Sequence, residues 1–208
     1  NKLIIDVGAN LGLASLYLSQ FADVVHAIEP SIKIYEVLVE NVKGRNIVVH
    51  NQAIGTYNGI RELYSDTNSP PQTFFPSLVP NSSQKITSEV VNCLSIGNFM
   101  KDNKIDHIDV MKIDVEGSEF EIFMSESFEE VSPKIDMIVG EGHYASFGGG
   151  SSGFPQAIPD ILKLYGFKTE FIKTPTANYK QYIYYNNLTT GFKREVGTEF
   201  WTNFKAIK

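Results

Sequence analysis

Acidic and glycine residues near the start of the chain have the spacing of a ligand-binding turn. The sequence D-V-G-A-N-L-G runs from Asp6 to Gly12 and directly follows an apolar stretch that begins at Leu3. In an open parallel sheet, ligands bind beyond the carboxyl ends of the strands, and a glycine there lets a ligand approach the backbone because no Cβ intervenes. We therefore predict a ligand site at this turn, with Gly8 and Gly12 as its close-approach positions.

The turn lacks the residues of two common phosphate-binding motifs, and this limits the kinds of ligand it can bind. A P-loop needs Gly-Lys-Ser/Thr after the glycines, and no lysine lies between Gly8 and Gln20, which excludes that motif. The dinucleotide fingerprint G-x-G-x-x-G is broken, because Asn10 and Leu13 occupy its second and third glycine positions. The remaining candidate is a ligand that contains adenosine but no phosphate.

Another acidic residue, Glu29, follows the second predicted strand in the sequence V-H-A-I-E-P-S. A carboxylate at this position can accept hydrogen bonds from both hydroxyl groups of a ribose. It can equally be a solvated acid that caps a helix starting near Ser31. The residues alone leave both interpretations open.

The sequence I-D-V-M-K-I-D-V-E-G-S-E places Asp114, Glu116 and Glu119 close together. Such carboxylates could hold a divalent metal, since hard cations prefer oxygen ligands. Acidic residues also favour the positive end of a helix, and we prefer that explanation for Glu119. A metal held by Asp114 together with Glu141 stays open. Lys112, inside the predicted strand, is a buried charge that needs a carboxylate partner.

The elements that must position these residues alternate between short β-branched runs and helical stretches, which is typical of a mostly parallel sheet covered by helices. The predicted strands are Leu3–Val7, Val24–Ile28, Ile47–His50, Asp109–Ile113, Asp136–Val139, Phe167–Ile172 and Gln181–Tyr185. The last two form a hairpin at the sheet edge. Helical apolar stripes begin at Ile34, Phe120 and Ile158, and the first and last are followed by Gly44 and Gly166. Residues 65–88 and 144–155 are predicted to be substrate or lid loops.

Composition limits the class of protein. A chain of 208 residues is expected to form one domain. The net charge of −6, without a cluster of Lys or Arg, argues against a nucleic-acid partner. A single cysteine, Cys93, excludes an internal disulfide and the usual thiolate metal sites, which fits a cytoplasmic protein. Since no apolar run approaches ~20 residues, we expect no membrane span.

Four stretches together resemble the FkbM-type S-adenosylmethionine-dependent methyltransferases. They are L-I-I-D-V-G-A-N-L-G-L-A-S, V-H-A-I-E-P-S, the N-x-A of N-Q-A-I-G, and I-D-V-M-K-I-D-V-E-G-S-E. The resemblance extends from Leu3 to about His143, and K-I-D-V-E-G is its most specific element. It implies an α/β, Rossmann-like class I methyltransferase fold: a seven-stranded, mostly parallel sheet with an antiparallel last strand and helices on both faces.

The resemblance also implies a set of cofactor-binding residues. Glu29 would bind the ribose with Pro30 beside it, Gln52 and Ala53 would flank the adenine, and Asp114 would lie near the methionine amino group and the reacting methyl. The methionine end would be lined by Asp6, Gly8, Asn10 and Gly12.

The function implied is transfer of a methyl group from S-adenosylmethionine to an oxygen of a small hydroxylated acceptor, a sugar or a secondary metabolite. An alcohol acceptor must lose its proton as it attacks, which requires a base. We predict His143 for this role, with Glu141 orienting its ring or acting as the base, beside Asp114. The other histidines, His26, His50 and His107, are predicted to be structural or solvated. The alternatives are a nicotinamide-dependent oxidoreductase and an inactive S-adenosylmethionine-binding module.

Overall fold

The computed structural model of the protein describes residues 2–66, 76–78, 86–142, 154–172 and 180–186. Its strands are β1 (Leu3–Val7), β2 (Val24–Ile28), β3 (Ile47–His50), β4 (Ala53–Gly55), β5 (Gly59–Asp66), β6 (Ile86–Ser95), β7 (Ile108–Ile113), β8 (Ile135–Gly142), β9 (Phe167–Ile172) and β10 (Lys180–Asn186). Its helices are α1 (Leu13–Leu18), α2 (Ile32–Asn41), α3 (Ile96–Asp102), α4 (Glu119–Phe123), α5 (Glu126–Val131) and α6 (Phe154–Leu164).

Seven of these strands form a central sheet in the order β3-β2-β1-β7-β8-β10-β9. Within this sheet, every described pairing is parallel except those of β10, which runs antiparallel to both β8 and β9. The predicted α/β architecture with an antiparallel last strand is confirmed, and so is the hairpin at the sheet edge. β8 is longer than predicted, since it continues to Gly142.

The central sheet is covered on both faces, which explains its nearly continuous apolar strands. Alternate residues of β1 lie on opposite faces of the central sheet. Ile5 packs in the large core with Phe99 of α3, Phe123 of α4 and Phe128 of α5. Ile4 faces the other side, where α1 and α2 lie over β1, β2 and β3.

A second, three-stranded sheet lies in the chain between β3 and α3, with the order β4-β6-β5. β5 and β6 pair antiparallel, and the sheet has a small core of its own that consists of Ala53, Leu63, Leu78, Val91 and Cys93. The substrate or lid loop predicted for residues 65–88 is corrected at both ends, because Ser65 belongs to β5 and Ile86 begins β6. The rest of that segment lies outside the described residues except for residues 76–78.

The apolar stripe that begins at Phe120 belongs to two short helices rather than one. The hydroxyl of Ser125 accepts a hydrogen bond from the backbone N–H of Phe128 at 3.2 Å and so caps the start of α5. Met124, in the break between α4 and α5, is 55% exposed and does not belong to the core. The predicted left-handed glycines after two other helices are confirmed, with φ of +76° at Gly44 and +87° at Gly166. In the described part of the chain, no helix is long and apolar enough to cross a membrane.

Candidate functional site

A cavity of about 350 Å³ opens at the carboxyl ends of β1, β2 and β7. β1 lies where the strand order changes direction, between β2 on one side and β7 on the other, which is the usual position of a ligand crevice in such a sheet. Seven of the predicted cofactor-binding residues line the cavity: Gly8, Asn10, Glu29, Pro30, Gln52, Ala53 and Asp114. Two others, Asp6 and Gly12, do not.

The two glycines of the turn after β1 have different neighbours. Gly8 has φ +77°, and a Cβ there would lie 1.9 Å from the carbonyl oxygen of Asp114 at the end of β7. Gly12 has φ +87°, and its Cβ would lie 2.5 Å from Cδ1 of Leu38 in α2. Gly8 therefore lets the turn abut β7 beside the cavity, whereas Gly12 lets the start of α1 pack closely on α2.

Asp6 lies behind the turn and holds it through a lysine. Its carboxylate is fully buried, accepts a hydrogen bond from Ser15 Oγ at 2.6 Å, and lies 3.1 Å from Lys112 Nζ. Lys112 Nζ also donates to the carbonyl oxygen of Gly8 at 2.9 Å and lies 3.7 Å from Asp114 Oδ2. The predicted carboxylate partner of Lys112 is thus confirmed. Burial opposes the charge of Lys112, but Asp6 and then Asp114 outweigh it, so its pKa is raised and the ammonium persists.

Glu29 joins the end of β2 to the turn after β1. It is 4% exposed, and its two carboxylate oxygens accept from the backbone N–H groups of Ser31 at 2.9 Å and Asn10 at 3.0 Å. Burial raises its pKa to about 7, although the two backbone hydrogen bonds act in the opposite direction. Glu29 is therefore not a solvated acid, and it lines the cavity.

The loop of residues 114–117 follows β7 and forms another part of the wall. Glu116 has φ +55° and Gly117 has φ +111°, so the chain turns sharply here. Glu119, 1% exposed in the first turn of α4, accepts from the backbone N–H of Val115 and of Gly117, each at 3.0 Å. Its carboxylate holds the 114–117 loop through these hydrogen bonds. Asp114, Val115 and Glu116 line the cavity, whereas Glu119 does not.

The three carboxylates of this region do not gather into a metal centre among the described residues. The one grouping of three potential ligand side chains found there is His107, Asp109 and Asp136, whose ligand atoms lie within 4.8 Å of one another. Asp109 and Asp136 lie near the amino ends of β7 and β8, opposite the cavity.

Of the three predicted catalytic residues, Asp114 lines the cavity. Glu141 lies in β8 and is not among the residues that line the cavity. His143 follows β8 directly and lies outside the described residues. The other histidines are predicted from the sequence to be structural or solvated. His26 and His50 stack, with 2.9 Å between Nδ1 of His26 and Nε2 of His50, and the exposed His107 has its Nε2 2.9 Å from Asp136 Oδ2.

Sequence reasoning missed the part of the wall that the second sheet supplies. Leu63 of β5 lines the cavity together with Pro76 and Leu78 from the segment before β6. β6 carries little sequence signal, because apolar residues stand at both its exposed and its buried positions, as Val90 and Val91 do. Leu78 stands in a stretch rich in Pro, Ser and Asn, which carries no strand signal either.

The turn after β1, Glu29 and the K-I-D-V-E-G element therefore meet at one cavity. Residues 6–169 match the model of a family described as the methyltransferase FkbM domain. The chain belongs to the FkbM methyltransferase family.

A curated relative and several solved structures are similar to this FkbM-family chain. Methyltransferase sdnD of Sordaria araneosa is 28% identical over 158 residues, which are 59% of this chain and 59% of that protein. The chain thus spans about three fifths of the length of that relative.

Three solved structures share the fold. The fibrillarin pre-rRNA processing protein of Methanococcus jannaschii has a TM-score of 0.55 at 16% identity, covering 89% of this chain and 66% of that one. An rRNA methylase of Streptococcus thermophilus has a TM-score of 0.51 at 7% identity, covering 89% and 87%. A Streptococcus mutans protein crystallised with S-adenosylhomocysteine has a TM-score of 0.50 at 9% identity, covering 89% and 88%. At these identities the likeness concerns the fold alone.

Proposed function

We propose that the chain binds S-adenosylmethionine in the cavity at the ends of β1, β2 and β7 and transfers its methyl group to an oxygen of a small hydroxylated acceptor. The observation that carries the proposal is the position of Glu29. Its carboxylate is buried at the end of β2, is fixed by the backbone N–H groups of Asn10 and Ser31, and lines the cavity.

The residues around the cavity fit the parts of this cofactor. Glu29 would hold the ribose hydroxyls, and Pro30, Gln52 and Ala53 would surround the adenine. Asp114 would accept from the methionine ammonium. Gly8 lines the cavity, but its missing Cβ makes room for the carbonyl oxygen of Asp114 and not for a ligand.

The charge of the wall favours this cofactor over a nicotinamide dinucleotide. Three acidic residues line the cavity, Glu29, Asp114 and Glu116, and Lys112 is the one basic residue among the described residues that do so. Opposite charges at short range attract most strongly where water is scarce, so this wall favours a ligand with a sulfonium and an ammonium group. A pyrophosphate would meet repulsion and a turn without the dinucleotide glycines.

The cofactor supplies a methyl group on a positively charged sulfur. The chain must hold the acceptor oxygen in line with that methyl group, and positioning of this kind accounts for much of the rate of such reactions. As the new carbon–oxygen bond forms, the hydroxyl proton must leave. We propose that an imidazole nitrogen of His143 receives it, with Glu141 orienting the ring.

The acceptor is proposed to be a hydroxyl of a sugar or a secondary metabolite, which rests on the family to which the chain belongs. The magnesium dependence of the reaction tests whether Asp114 and Glu141 hold a divalent metal at the acceptor site. The lone cysteine, Cys93, is buried and free, which supports action in the reducing cytoplasm.

Isothermal titration with S-adenosylhomocysteine, alongside fluorescence titration with NADH, tests the proposal. We expect S-adenosylhomocysteine to bind, NADH not to bind, and Glu29→Ala to lower the affinity for S-adenosylhomocysteine by about tenfold or more, since it removes two hydrogen bonds to a charged group. A methyl-transfer assay over hydroxylated acceptors, with and without magnesium, then tests the reaction. Binding of NADH alone would favour the oxidoreductase. Binding of S-adenosylhomocysteine without transfer to any acceptor would favour the inactive module.

A further inference from the structure

Residues 76–78, called the strap here, form a short piece of chain between β5 and β6 that reaches the cavity. Pro76 and Leu78 line the cavity, and Ser77 stands between them. We propose that Ser77 is a positioning residue that fastens the strap to the 114–117 loop and thereby sets how long the cofactor stays bound. This inference rests on the proposed function and adds a control over cofactor release.

The strap is anchored on one side to the second sheet. The backbone N–H of Ser77 donates to the carbonyl oxygen of Tyr64 at 2.9 Å. In return, the backbone N–H of Tyr64 donates to the carbonyl oxygen of Ser77 at 2.8 Å. Leu78 is 7% exposed and packs in the small core with Leu63 and Val91. The strap therefore moves with β5.

On its other side the hydroxyl of Ser77 ties the strap to the 114–117 loop. Ser77 Oγ donates a hydrogen bond to the carbonyl oxygen of Glu116 at 2.6 Å. That carbonyl belongs to the 114–117 loop, which Glu119 holds through the N–H groups of Val115 and Gly117. The acceptor is thus presented by a fixed loop at the end of β7.

These contacts make Ser77 a bridge between two walls of the same cavity. One wall comes from the second sheet, through Leu63 and Leu78, and the other from the central sheet, through Gly8 and Asp114. A molecule bound in the cavity would contact both walls. Separation of the walls would break the hydrogen bond of the Ser77 hydroxyl. Loss of a contact that keeps a ligand enclosed changes the dissociation rate more than the association rate.

The test compares variants of Ser77 by surface plasmon resonance with S-adenosylhomocysteine as the probe. Ser77→Thr keeps a hydroxyl. Ser77→Val introduces a side chain of nearly the same shape as threonine but without the hydroxyl. We expect Ser77→Val and Ser77→Ala to release the probe about three to ten times faster than the parent, the range given by one net hydrogen bond. Their association rates should stay within about twofold, and Ser77→Thr should remain close to the parent.

Ser88→Ala is the matched control, because Ser88 is an exposed serine on β6 whose hydroxyl lies 3.4 Å from Glu62 Oε1. It should release the probe at the parent rate. Equal release from Ser77→Val and Ser77→Thr, or equal acceleration by Ser77→Ala and Ser88→Ala, would overturn the inference. If the parent itself does not bind S-adenosylhomocysteine, the proposed function fails instead, so the two failures are distinguishable.

Discussion

Carboxylates around the cavity differ in what holds them, and this decides what each can do. Asp6 is paired with Lys112 and Ser15 behind the turn, and Glu119 accepts from two backbone N–H groups of the 114–117 loop. Both are buried supports. Glu29 and Asp114 line the cavity and are in position to meet a ligand. Sequence spacing places all four near one sheet edge but cannot tell whether a carboxylate faces a ligand or a lysine.

Glu29 should make cofactor binding depend on pH. Its pKa is raised to about 7 by burial, against 4.5 for an ordinary glutamate. As pH rises through 7, the carboxyl loses its proton and becomes able to accept from both ribose hydroxyls. We therefore expect affinity for S-adenosylhomocysteine to rise between pH 5.5 and about 8 and then level off. Isothermal titration over this range measures it.

Glu29→Gln provides the control for this prediction, because an amide does not titrate. The variant should bind more weakly at pH 8 and show little change with pH. Stability should depend on pH in the opposite direction to binding, because the folded state holds the proton of Glu29 more tightly than the unfolded state does. The contribution of Glu29 to the free energy of unfolding is therefore complete below pH 4.5 and is lost as pH rises through 7. A parent affinity that is constant from pH 5.5 to 8 would contradict the assignment of Glu29 to the ribose.

The turn that joins β1 to α1 should tolerate no side chain at Gly8. An alanine there would have φ +77° and a Cβ 1.9 Å from a backbone oxygen of Asp114, which cannot move without displacing the end of β7. We expect Gly8→Ala to lower the free energy of unfolding by about 3 kcal/mol, from strain and overpacking together, and to abolish binding of S-adenosylhomocysteine. Urea unfolding and isothermal titration measure the two effects.

Gly44→Ala separates the clash from the backbone strain. Gly44 has a nearly identical φ of +76°, but a Cβ there would meet nothing within 4 Å. It should cost about 1 kcal/mol of stability, since only the left-handed backbone is penalised, and leave binding intact. The explanation would be wrong if the two variants lost equal stability and both kept binding.

The strands of the central sheet could be predicted because they are buried on both faces and read as apolar runs. The second sheet could not be predicted in the same way. β5 has the sequence G-I-R-E-L-Y-S-D, in which Leu63 is buried while Ile60 is 67% exposed. On β6, Val90 is 71% exposed and Val91 is buried, so apolar residues on both faces obscure the alternation. Half-buried strands with charged and apolar residues on the same face carry little sequence signal.

The same physical limit applies to the site. Motifs identified the turn after β1, Glu29 and Asp114, because short strands deliver those residues to one edge of the sheet. The wall formed by Leu63, Pro76 and Leu78 depends on how the second sheet packs against the central one, which is a contact between distant parts of the chain. No local pattern records such a contact.

The cavity lies between two sheets of unequal size, and the cofactor should link their stabilities. Among the described residues, the core of the second sheet has five buried apolar residues, whereas the largest core of the central sheet has many more. Regions with small cores open more readily than the whole protein unfolds. We therefore expect amides of β5 and β6 to exchange with solvent faster than those of β1 and β7 in the free protein.

S-adenosylhomocysteine should slow this exchange in the second sheet as well as in the central one. A ligand at 100 times its dissociation constant stabilises the state that binds it by about 2.7 kcal/mol. Because Leu63 and Leu78 line the cavity, opening of the second sheet would destroy part of the binding site. Hydrogen–deuterium exchange should then show about tenfold or greater protection at β5, at Ser77 and at the turn after β1. Strand β9, at the far edge of the central sheet, is the internal control and should change little. Protection confined to β1, β2 and β7 would mean that the second sheet opens without releasing the ligand, and that its residues border the cavity without taking part in binding.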